Sequence, residues 1–146
     1  MADIPFNIAL GATAEKVRDS ATVLLVLLLT VAEADDTIRD YDELNALLGA
    51  AGNTEATFTN YARKTGLTAT ITVDDTNNRV DVDIPDQTWS SAGNGSNETM
   101  TDLIVAYEES GSDAGRVPLT LHDFVPTTDG SNLTVEFNAA GFFRAA

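Results

Sequence analysis

At 146 residues, 43% of them hydrophobic, the chain is sized for a single domain with one core, and no stretch reaches the roughly 20 apolar residues that a membrane-crossing helix needs. Its 23 acidic and 8 basic residues leave a formal charge of −15, a field that repels phosphate and argues against nucleic-acid binding. Cysteine is absent, which excludes disulfides, thiolate zinc sites and cysteine nucleophiles together.

Residues 1–11 read as an extended arm, apolar without a clear period, in which Pro5 forbids a central strand position. Such an arm packs on its own domain or lies across a neighbouring subunit. Residues 13–19 fit a short helix, with Thr13 as N-cap and Lys16 and Arg18 toward the negative end of its dipole. Residues 22–31, TVLLVLLLTV, are apolar except for Thr22 and Thr30. With Lys16 and Arg18 before it and Ala32-Glu33-Ala34 after it, this run has the parts of a secretory signal. The segment ahead of it carries Asp3, Glu15 and Asp19, however, and so is not a basic leader. The β-branched content of the run and its lack of polar positions at helical spacing predict a retained strand, buried on both faces.

The stretch Asp40-Tyr41-Asp42-Glu43-Leu44-Asn45-Ala46-Leu47-Leu48-Gly49 predicts a helix. Asp40 and Glu43 would cap its free N–H groups, Leu44, Leu47 and Leu48 would face the sheet, and Gly49 would take the left-handed position that ends it. Residues 54–64 mix helical spacing with strand-forming residues, and we read a helical turn or irregular excursion there. From Thr68 the period changes to two. Ala69, Ile71 and Val73, a turn at residues 74–78, then Val80, Val82 and Ile84 predict a hairpin with one wet face that carries Asp81 and Asp83. Residues 91–99, SAGNGSNET, read as a flexible polar loop. Further strands are predicted at residues 103–107, at residues 117–124 with Pro118 near an edge, and from Leu133 through Val135 to Phe137. The fold class is therefore α+β, mainly β: one domain spanning residues 1–146, with a compact antiparallel sheet, sandwich or barrel, one or two short helices and an extended N-terminal arm.

Little in the sequence points to chemistry. The acidic turn at residues 74–78 lacks the glycine and terminal Glu of a calcium-binding EF-hand loop, so solvated acids are its plain reading. His122 is the only histidine, and its neighbour Asp123 points to the opposite face of a strand, so the two do not form an oriented dyad. A strand-end histidine bonded to backbone is expected. Nucleophile elbows, phosphate loops and His-Glu-x-x-His are missing, and Asn94, Asn97 and Asn132 head formal glycosylation sequons best read as turns. Neither catalysis nor a cofactor or metal is expected. A carbohydrate-binding β-domain, using Trp89, Tyr107 and the acids of one face, is the alternative from another functional class.

Several stretches resemble a family of small virion structural proteins of tailed viruses, notably those of actinobacteria. They are Phe6-Asn7-Ile8-Ala9-Leu10-Gly11, the run from Val23 to Leu29, Tyr61-Ala62-Arg63-Lys64, and Val73-Asp74-Asp75-Thr76-Asn77-Asn78-Arg79-Val80-Asp81. The set is completed by Pro85-Asp86-Gln87-Thr88-Trp89, Pro118-Leu119-Thr120-Leu121-His122-Asp123-Phe124 and Gly141-Phe142-Phe143-Arg144-Ala145. The resemblance implies a non-enzymatic capsid decoration protein on the virion exterior, with the major capsid protein and sister subunits, as a homotrimer, for partners. A head–tail connector or minor tail protein is the alternative. Ile4, Pro5, Phe6 and Ile8 of the arm, with Phe142 and Phe143 at the end, are the candidate partner-binding residues, each well-buried aromatic contributing about 1.5–3 kcal/mol.

Overall fold

The computed structural model describes residues 4–6, 24–77, 79–138 and 140–145. The short helix expected at residues 13–19, and Ile8, lie outside the described residues. Over the described residues the protein is mainly β, with antiparallel strand pairing and two short α-helices, and these strands do not close into a barrel.

The apolar run supplies the central strand. Residues Leu24–Thr30 form β2, and every side chain from Leu24 to Leu29 is at most 3% exposed. An apolar side chain at each successive position suits a strand covered on both faces, as expected. On one edge it pairs with Asp102–Glu108 (β8), in register from Leu24 opposite Tyr107 to Leu29 opposite Asp102. On the other edge it is shared between two short strands, Thr54–Glu55 (β3) and Lys64–Leu67 (β4). Residues 54–64 therefore leave and rejoin the same edge. Leu28 falls between the two, where its carbonyl accepts the Ala56 N–H (2.9 Å) and its own N–H donates to the Tyr61 hydroxyl (3.2 Å).

Strand β8 continues the sheet to Arg116–Asp123 (β9), which the arm strand Ile4–Pro5 (β1) then borders. Pro118 fits because the β8–β9 register shifts there: Val105 faces Thr120 and Ala106 faces Pro118, which leaves Leu119 as the extra residue. A residue without an N–H is tolerated at such a bulge. Pro5, likewise, stands on an edge strand, as the sequence required.

The expected hairpin forms from Thr70–Asp74 (β5) and Arg79–Asp83 (β6), in register from Thr70 opposite Asp83. Val82 and Ile84 are buried as expected, but two residues depart from the expected faces. Asp81 is buried at 7% exposure and Ile71 is 43% exposed. The cause is a strand that alternation did not predict, Phe143–Ala145 (β11), which pairs with the far edge of β6 and sets Arg144 opposite Asp81. Arg144 Nε donates to Asp81 Oδ1 at 2.7 Å. Gly141 makes this return possible: its φ is +81°, and a Cβ there would lie 2.2 Å from the Val82 carbonyl oxygen. A third, two-stranded sheet joins Gln87–Trp89 (β7) to Leu133–Val135 (β10).

The α-helices among the described residues are Asp35–Ile38 (α1) and Leu44–Gly49 (α2). Leu44 and Leu47 are buried, as expected, but the N-cap residue is Glu43, whose side chain makes no capping hydrogen bond, and Gly49 is the last helical residue rather than a left-handed terminator. That conformation falls instead on Gly52, with φ +94°. The end of α2 is tied by Asn53, whose Nδ2 donates to the Leu47 carbonyl (3.1 Å) and to Glu33 Oε2 (2.6 Å). Glu33 also accepts the Tyr41 hydroxyl at 3.0 Å. The Ala32-Glu33-Ala34 triplet is thus part of the folded domain, its acid a fixed acceptor.

Candidate functional site

A groove of about 370 Å³ lies beside the end of β9. Leu103 of β8, Phe124, Val135 of β10, Phe137 and Phe142 supply its apolar surface, and His122, Asp123, Glu136 and Asn138 its polar surface. Strand β9 delivers His122 and Asp123 together at its C-terminal end, so both contribute to the lining despite being sequence neighbours. His122 Nε2 lies 2.8 Å from Thr120 Oγ1, two residues back on the same strand face. Asp86 closes the adjoining segment by accepting the Phe137 N–H at 2.9 Å. Carboxylates therefore share the lining with apolar side chains, and among the described residues no lysine or arginine joins them.

A second polar assembly lies on the opposite edge of the central strand. The Tyr61 hydroxyl, which receives the Leu28 N–H, donates to Glu55 Oε1 at 2.8 Å. Arg63 grips Glu55 with Nε and Nη2 (2.7 and 2.5 Å) and Asp113 with Nη1 and Nη2 (2.5 and 2.9 Å). Arg116 then joins Asp113 (2.6 Å) to Glu108 (3.0 Å). Burial and the adjacent Glu55 raise the Tyr61 phenol well above its ordinary range, so it acts as a neutral donor. The Arg63 and Arg116 hydrogen bonds hold the Asp113 carboxyl down at about 2. The chain of contacts couples β2, β3, β8 and the turn before β9.

The aromatic residues singled out from the sequence are largely internal. Phe6 is fully buried, its N–H bonded to the Leu119 carbonyl (3.2 Å), and Phe142 is 7% exposed. Both anchor the chain to itself. Phe143 is half-buried against the same core, and Ile4 and Pro5 stand in β1. Trp89 is 1% exposed, with its indole N–H bonded to the Ala62 carbonyl at 2.7 Å, so it offers no ring face to a sugar. The loop at residues 91–99, expected to be flexible, is stapled: Ala92 N–H donates to Ser131 O, Gly93 N–H to Thr59 O, and Thr128 N–H to Glu98 O. The sequence reading missed the groove and the Arg63 assembly, because both join residues distant in the chain. Lone charged residues at Glu55, Arg63 and Asp113 gave no local signal.

Asp102 is a buried carboxyl at the end of β8. Its Oδ2 accepts the Thr101 hydroxyl, while Oδ1 has no partner. Burial raises its pKa above the ordinary 3.8, nearby Asp123 and Asp35 raise it further, and the Thr101 bond opposes them. The folded state therefore holds this proton more tightly than the unfolded chain. Asp102 costs no stability below about pH 3.8; its cost grows as pH rises from there toward the raised folded-state value and is complete above it. Asp102→Asn is expected to stabilise the protein by about 1 kcal/mol at pH 7, a Tm rise of roughly 2–4 °C. Paired melts should show the gain disappear near pH 4; a gain independent of pH rules out ionisation as its cause.

No family model, curated protein or solved structure matches this chain.

Proposed function

We propose that this protein is a non-enzymatic structural component of a tailed-virus particle, a decoration protein bound to the outer face of the major capsid lattice. The observation that carries the reading is the resemblance distributed along the chain, from Phe6-Asn7-Ile8 through Tyr61-Ala62-Arg63-Lys64 to Gly141-Phe142-Phe143. The physical character of the chain supports it. A charge of −15 suits a surface kept away from packaged DNA. The stapled loops and the cross-strand ionic chain suit a part that bears load rather than one that moves.

Burial of Phe6 and Phe142 shifts the partner surface from those two rings to what lies around them. In this reading the half-buried Phe143 and the groove beside Phe142 take the capsid contact, with sister subunits completing a trimer. Mass-spectrometric copy counting in purified virions tests the proposal. Copies in fixed proportion to the major capsid protein are expected, whereas a single small ring of copies per particle would assign the protein to the head–tail connector or tail.

A further inference from the structure

We infer that the groove between the end of β9, the residues after β10 and Phe142 is a docking site for an extended peptide segment of another protein, one that alternates aliphatic and cationic side chains. The lining divides by chemistry. Leu103 and Val135 give an apolar floor, while Glu136, Asp123 and Asn138 stand at the polar side. Glu136 is exposed, and Asp86 lies next to it through the Phe137 N–H. A purely aliphatic occupant would leave those carboxylates facing apolar surface, and an acidic one would be repelled by them and by the whole chain. Arg or Lys flanked by aliphatic residues satisfies both surfaces, since the long stem packs on the floor and the charged head reaches the rim.

The volume, about 370 Å³, accommodates side chains and not a folded domain. Val135 closes the short strand β10, which pairs with β7 along one edge, and Val135, Glu136, Phe137 and Asn138 then run along the groove as consecutive lining residues. The inference deepens the capsid reading by giving the partner's contacting segment a chemistry, but its test uses only purified protein.

The probes are two blocked peptides, acetyl-Leu-Arg-Val-Arg-Leu-amide and acetyl-Leu-Glu-Val-Glu-Leu-amide, titrated against the full chain and followed by the methyl NMR signals of Leu103 and Val135 and the His122 ring signals. The arginine peptide should produce saturable shifts confined to the groove, and the glutamate peptide none. Raising salt from about 50 to 500 mM should weaken binding about tenfold, because exposed charge pairs are screened. Glu136→Lys, at an exposed position that leaves the fold intact, should weaken the arginine peptide by about tenfold or more. Equal shifts from both peptides, shifts from neither, or undiminished binding to Glu136→Lys would each overturn the inference. A virion copy count that excludes decoration would leave these outcomes untouched.

Discussion

Leu27→Asp is expected to abolish the folded state. Leu27 is fully buried in β2, flanked in register by Ile104 of β8, and both faces of the strand are covered. The substitution removes an aliphatic side chain worth about 2–5 kcal/mol with its cavity and adds a carboxylate whose desolvation costs several kcal/mol more. Against a total stability on the order of 5–15 kcal/mol, that leaves no folded population. Circular dichroism and amide NMR dispersion of the purified variant check it. Ile71→Asp is the control: at 43% exposure on the hairpin it should change stability by less than about 1 kcal/mol. A folded, monomeric Leu27→Asp protein would show that β2 is not the core around which the sheets assemble.

Arg63→Met should destabilise the protein by about 2–4 kcal/mol at pH 7. The loss leaves Glu55 and Asp113, at 23% and 30% side-chain exposure, without the guanidinium that binds each through two hydrogen bonds. Breaking a buried pair typically costs about 3–5 kcal/mol, and the partial exposure here scales that down by solvent screening. The dependence on pH carries the assignment. Asp113 has a folded-state value of about 2 against an ordinary 3.8, so its contribution is complete above pH 3.8 and is lost as pH falls toward 2. Denaturant titrations of wild type and Arg63→Met should therefore converge in that acid window. A difference that stays constant through it would mean that Arg63 acts by packing its stem alone.

The two acid effects have opposite signs. Asp113 loses stabilising ionisation on acidification, whereas protonating Asp102 relieves a buried charge. The variants separate them, because Asp102→Asn removes one slope and Arg63→Met the other.

Legibility in the sequence followed the range of the interaction. The central strand, the hairpin, β8, β9 and β10 were all readable, because burial on one or two faces writes itself into every residue or every second one. The apolar stripe of α2 was readable for the same reason, but its caps were not. The partners that finish that region, Glu33 and Asn53, lie outside the helix, and Glu43, which local rules favoured as part of the cap, makes no capping hydrogen bond. Strand β11 was missed because three residues after a tight glycine turn carry no period, and its arrival buried Asp81, which alternation had placed in water. Of the candidate contact residues, the aromatic identity of Phe6 and Phe142 was plain, yet their direction was not. An apolar ring in an arm reads the same whether it closes its own core or a neighbour's.

By itself the sequence determined the class of fold: mainly antiparallel β with one or two short helices, organised on one strand that had to be buried on both sides. Hydrophobic periodicity is a local record of burial and survives in one dimension. Only the tertiary structure decided where the charges go. It paired Arg63 with Glu55 and Asp113, Arg144 with Asp81, and gathered His122, Asp123 and Glu136 around an apolar groove. These contacts depend on which strands become neighbours, and a charged residue carries no mark in the sequence of the partner it will meet.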